Sequence, residues 1–150
     1  MAEDAPVSQE MATLPHFCRN LAQHWEVEIA MIRIKRVYDP SAEEDGVRFL
    51  VERLWPRGMK KEALHMAAWC KDVAPSDKLR RWFGHDPAKW KEFQRRYRAE
   101  LAVKNAGCQP LFDAARRGSI TLLYSARDTQ HNNAVVLKSY LEEGLTGKKD

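Results

Sequence analysis

The chain has 150 residues, 44% of them hydrophobic and 31% charged, with 7 Gly and 7 Pro. That composition excludes a collagen-like, coiled-coil or wholly disordered chain, and the length suits one domain able to bury a core without staples. Mean hydropathy is −0.60 and no run approaches the roughly 18 apolar residues of a membrane span, so no membrane partner is expected.

The net charge of +4 is uneven. Residues 1–30 hold Glu3, Asp4, Glu10, Glu26 and Glu28 against Arg19 alone, which leaves the remainder with 24 bases, 16 acids and a net +8. Such a body attracts polyanions, although solubility also accounts for a charge of this size. Cys18, Cys70 and Cys108 are odd in number and form no CxxC or Cys/His cluster. Reduced thiols in a cytoplasmic protein are therefore expected, with no metal site and no cofactor.

Residues 1–30 do not read as a secretory signal, because they lack a basic segment followed by an apolar one. The spacing of Leu14, Phe17, Leu21 and Trp25 suits a short amphipathic helix near 14–26. Met31 then resembles a translation start directly before a strand. Residues 1–30 are thus read as a mobile or weakly helical appendage, 31–143 as the folded domain, and 144–150 as a frayed tail.

Ile32 to Val37 alternates apolar and basic residues, the pattern of a half-buried strand. Asp39-Pro40 stops it. Val47, Phe49 and Val51 alternate with Arg48 and Glu52, predicting a second strand that Pro56 and Gly58 break. Met66 to Val73 reads as a weaker extended segment. Ser76 caps a helix with Leu79, Trp82 and Phe83 on its apolar side, and Gly84 ends it. Asp86-Pro87 starts another, in which Trp90, Phe93, Tyr97 and Leu101 share one face. Its basic residues between 89 and 98 suggest single-strand nucleic-acid binding, but its aromatics lie on the face that should be buried. Pro110 to Arg117 predicts a third helix. Ile120 to Tyr124 is a nearly continuous apolar run, as in a strand covered on both faces. Asp128 or Thr129 is the expected cap of a last helix carrying Ala134, Leu137 and Leu141. The pattern implies an α/β domain with a small central sheet flanked by helices.

Five ordered segments carry a resemblance: Lys35–Pro40, Leu54–Gly58, Ala74–Ser76, Trp82–Pro87 and Leu122–Asp128. Together they are similar to the YeaO-like bacterial proteins of DUF488, a domain of unknown function, over roughly residues 31–143. The resemblance implies a small cytoplasmic α/β protein and brings no substrate or reaction. Relatives in the wider family place Cys at the position of Ser125 and a Cys-His-Arg near the last helix. Ser125 and His131-Asn132 stand here, so thiol chemistry is not carried over.

Tyr124 to Asp128 runs from a buried strand toward a helix N-terminus, where open α/β sheets bind ligands and where a helix favours anions. Arg127 adds a charge there, with Ser125, His131 and Asn132 as hydrogen-bonding groups. There is no G-x-S-x-G elbow to activate Ser125. Arg53 and Arg57 flank a Trp-Pro turn at another strand end, and arginine suits bidentate capture of phosphate or carboxylate. Trp55 is read as a core residue. His85 is a weaker acid–base candidate beside Lys71 and Asp72. The expectation is a pocket that joins Arg53–Arg57 to Ser125–Asn132. In it Arg53, Arg57, Arg127 and Asn132 bind, and Ser125 and His131 serve any chemistry. Two functions remain open: binding or turnover of an anionic small molecule or nucleotide, and a noncatalytic nucleic-acid or protein-interaction module on the basic surface.

Overall fold

The computed structural model describes residues 31–147. The appendage 1–30, with its Leu14–Trp25 stripe, and the last residues of the tail lie outside the described residues. Four strands form one sheet: β1 (Ile32–Arg36), β2 (Val47–Leu50), β3 (Ala68–Trp69) and β4 (Ile120–Tyr124). Their order is β1-β4-β2-β3 and every pairing is parallel. The helices are α1 (Asp77–Phe83), α2 (Trp90–Val103), α3 (Gln109–Arg117) and α4 (Asn133–Leu145). The fold is α/β, and among the described residues no helix is long and apolar enough to cross a membrane.

β4 is the interior strand that its apolar run implies, with all five residues buried. Its alternate side chains serve two cores. Ile120, Leu122 and Tyr124 join the larger cluster, to which all four helices contribute. Leu123 faces the other way, against Val37, Leu50 and Leu64. Among the described residues no helix contributes to that smaller cluster, and loops rather than helices cover the second face of the sheet.

Local signals set the helix ends. The Ser76 hydroxyl accepts the Leu79 N–H at 3.1 Å, and Gly84, at φ 53, turns the chain out of α1. Asp86 accepts the Ala88 N–H at 3.0 Å, and Pro87 opens a 3-10 turn that leads into α2. Phe93, Tyr97 and Leu101 of α2 are buried, while Arg95 and Arg96 pair with Glu92 outside. The aromatic-basic helix is thus packed into the core through its aromatics.

Four details differ from the sequence pattern. The segment 66–73 contributes only Ala68–Trp69 as strand. Asn132, not Asp128 or Thr129, caps α4, its side chain accepting the Val135 N–H at 3.1 Å. Asp128 instead closes the preceding turn by accepting the N–H groups of Gln130 and His131. Helix α4 continues to Leu145, past the start of the expected tail, and a side chain at Gly144 would strike the Phe112 ring. Finally, Val47 is 42% exposed whereas Arg48 is buried at 8%.

Asp45 explains the last inversion. Residues 37–46 return from the end of β1 to the start of β2 and place Asp45 over the second face of the sheet. Arg48 bonds to it there through Nη1. Lys35 Nζ lies 3.0 Å from its carboxylate, and the Thr121 hydroxyl donates to its carbonyl at 2.7 Å. Burial works to raise the Asp45 pKa, but the bonds from Lys35, the Ala42 N–H and Arg48 together hold it below the ordinary carboxylate range. Gly46 follows at φ 65, and a Cβ there would sit 2.1 Å from the Ser119 carbonyl oxygen.

Leu122→Ala should lower stability by about 2–5 kcal/mol, as measured by urea unfolding, because the side chain is wholly buried. Asp45→Asn should cost about 3–5 kcal/mol at neutral pH, since Arg48 would remain buried without its counter-charge. A carboxyl with a lowered folded-state pKa contributes stability above its ordinary range and loses it as pH falls through the folded value. Wild type and variant should therefore converge in acid.

Candidate functional site

The pairing of Leu50 with Leu123 sets the carboxyl ends of β2 and β4 side by side. The Val51 N–H extends that ladder to the Leu123 carbonyl at 3.1 Å. One residue on, the Glu52 carboxylate accepts the Ser125 N–H at 3.0 Å. The Glu52 carbonyl accepts the Trp69 indole N–H at 2.6 Å, and the Asn133 side chain donates to the Val51 carbonyl at 2.7 Å. Arg36 holds the other strand end by donating to the Ala126 carbonyl at 2.9 Å. The strand ends and the start of α4 are therefore fixed to one another.

Between them lies a cavity of about 620 Å³, within the usual range of small-molecule sites. Leu54, Trp55, Pro56, Pro75 and Phe83 form its apolar wall. Glu52, Arg80, Ser125 and Asn133 supply half-buried polar groups, while exposed Arg57, His85 and Arg127 also line it.

Arg53, Arg57, Ser125, Arg127 and Asn132 all line this cavity, although 67 residues lie between Arg57 and Ser125. Their situations differ. The Arg57 and Arg127 side chains have no hydrogen-bond or ion-pair partner among the described residues. Arg53 donates through Nε to the Pro75 carbonyl at 3.0 Å. Asn132 is buried, caps α4 and donates to the Asp128 carbonyl at 2.8 Å. Both ends of its amide thus also serve the structure.

His131 is not among the lining residues. Its Nδ1 lies 2.8 Å from the Asp128 carboxylate, and its ring stands edge-on to Trp90 with centroids 5.1 Å apart. The placement follows from the later start of α4, which leaves residues 128–131 in a turn of their own. Lys71 and Asp72 also lie outside the cavity, with Lys71 over the Trp69 ring at 4.2 Å. His85 is separated from them and faces the cavity from a left-handed backbone at φ 59.

The sequence pattern gave no site role to Glu52, Arg80 or Asn133. In the alternation with Val47, Phe49 and Val51, Glu52 is only one of the polar positions. It lies beyond the last residue of the strand, where the ladder no longer dictates which way a side chain points. Burial pushes its pKa up, against the opposing effects of the Ser125 N–H and the Arg80 charge. Arg80 binds Asp77 at 2.5 Å through Nη2, while its Nε is buried with no hydrogen-bond partner. The Ser125 hydroxyl lies beside the Glu52 carboxylate, and among the described residues no histidine is hydrogen-bonded to it.

The model of the family described as the "Inactive DUF488-N3 subclade" matches residues 31–150. The chain belongs to the YeaO-like DUF488 family. It is 44% identical over 110 residues to the uncharacterised protein YeaO of Escherichia coli K12, covering 73% of this chain and 96% of that one. An uncharacterised protein of Mycobacterium tuberculosis H37Rv is 38% identical over 110 residues, covering 73% and 92% respectively. No solved structure matches the chain. The motif segments of this YeaO-like domain fall largely at strand ends: Leu54–Gly58 follows β2 and Ser125–Asp128 follows β4.

A group whose folded-state pKa is raised contributes stability below its ordinary range, and that contribution is lost as pH rises through the folded value. Glu52→Gln keeps an acceptor for the Ser125 N–H and never ionises. The variant should therefore gain stability relative to wild type as pH rises above the ordinary carboxylate range, as measured by chemical unfolding at each pH. Parallel curves would place the Glu52 carboxyl in solvent.

Proposed function

We propose that this domain binds a small anionic, phosphate-bearing ligand at the carboxyl ends of β2 and β4. The observation that carries the reading is the pair of uncommitted arginines. Arg57 and Arg127 reach one cavity from the carboxyl ends of two neighbouring strands. By contrast, Arg95 and Arg96 pair with Glu92, Arg80 and Arg81 with Asp77, and Arg98 with Glu143. A guanidinium without an internal partner beside an apolar wall suits bidentate capture of an oxyanion. The start of α4 adds the positive end of a helix dipole.

Binding without turnover is the reading that best fits the site. Among the described residues no histidine is hydrogen-bonded to Ser125, His131 does not line the cavity, and the description of the matching subclade as inactive agrees with both. A nucleic-acid module on the basic surface has less behind it, because the basic face of α2 is largely engaged in ion pairs and in cation–π contact with Trp82. A reducing, cytoplasmic setting is consistent with the free thiols of Cys70 and Cys108.

Inorganic phosphate at about a hundredfold excess over its Kd should stabilise the protein by about 2.7 kcal/mol and raise Tm by several degrees. Arg57→Ala and Arg127→Ala should each abolish most of that rise, while unliganded stability stays within about 0.5 kcal/mol of wild type. An undiminished rise in both variants would move the anion away from this cavity.

A further inference from the structure

Two features of the cavity constrain its ligand in opposite ways. Arg57 and Arg127 are exposed, have no carboxylate partner among the described residues and suit an anion. Glu52 is half-buried in the same cavity, and its carboxylate repels an anion that enters fully. Phosphate alone therefore satisfies the arginines and leaves the rest of the space unexplained. A ligand that fills about 620 Å³ must offer hydrogen-bond donors to Glu52, because an ionised carboxylate only accepts. The Ser125 N–H occupies one of its roughly four acceptor sites.

The apolar part of the wall, formed by Leu54, Trp55, Pro56 and Pro75, includes an aromatic ring. It suits a planar ring better than a flexible polar chain. The span is short enough for one molecule. Glu52 lies 3.0 Å from the Ser125 nitrogen, and Arg127 is two residues further on, at most about 7 Å of extended chain.

Resting on the anion reading above, we propose that the cavity takes a nucleoside monophosphate, with its phosphate on Arg57 and Arg127, its base along the wall at Trp55 and Pro75, and its N–H edge on Glu52. Guanine matches this edge best. Its ring N–H and adjacent amino group present two parallel donors to one carboxylate, the fork geometry that makes arginine–carboxylate pairs strong. Adenine sets an acceptor nitrogen beside its amino group, and that lone pair opposes the carboxylate.

Calorimetric titration of the full chain with guanosine monophosphate, inosine monophosphate, guanosine and inorganic phosphate tests the assignment. Guanosine monophosphate should bind more tightly than phosphate. Inosine monophosphate, which lacks the amino donor, should bind about tenfold or more weakly than guanosine monophosphate. Glu52→Gln should erase that difference and leave phosphate binding in place. Equal affinity for the two purine nucleotides, or no gain over phosphate, overturns the contact at Glu52 and leaves the anion reading standing. Guanosine binding as tightly as its monophosphate overturns the phosphate contact and with it the anion reading. No binding by phosphate or nucleotide overturns both. If Glu52→Gln does not fold, the comparison of the two purine nucleotides on the unaltered chain decides alone.

Discussion

The pairing of β4 between β1 and β2 is the constraint on which the rest of the structure depends. It brings residues 120–124 from late in the chain between two strands formed early. Because all three strands are parallel, their carboxyl ends emerge together, and the segments that follow β2 and β4 must share one edge of the sheet. The cavity is a consequence of that geometry. Glu52 and Asn133 then lock it from within, one by accepting the Ser125 N–H and the other by donating to the Val51 carbonyl.

The second face of the sheet is solved differently from the first. On the first, four amphipathic helices cover Ile32, Phe49 and Leu122. On the second, the return from β1 to β2 contains no α-helix and has little apolar surface to contribute. A charged cluster takes over: Asp45 is satisfied by Arg48, Lys35 and its own loop backbone. Buried ion pairs of this kind often contribute little net stability but are costly to break singly. Here the cluster sets the path of residues 37–46 and so the register at which β2 enters the sheet.

The division of labour among the arginines follows from the same architecture. On the helices, acids three or four residues away meet them at helical spacing, as Glu92 meets Arg95 and Arg96. Arg57 and Arg127 sit in turns after strands, where no such spacing supplies a neighbour. Their availability is a property of position, not of composition.

Much of this was legible along the chain because it is local. The Ser76 cap, the Gly84 stop, the Asp86-Pro87 restart and the apolar run of β4 each act within a few residues, and each stands where the pattern puts it. The carboxyl ends of the strands as the place for Arg57 and Arg127 also followed from chain order and breakers. Three things did not. Arg48 is buried because Asp45 lies over it, a contact set by the loop's path across the sheet and not by alternation. His131 is turned onto Trp90 because α4 begins at Asn133, a choice between neighbouring caps that turn geometry decides. Glu52 belongs to the cavity because its carboxylate meets a backbone N–H of Ser125, 73 residues away. Sequence determines what a residue can do locally, whereas its distant partner exists only once the strands have paired.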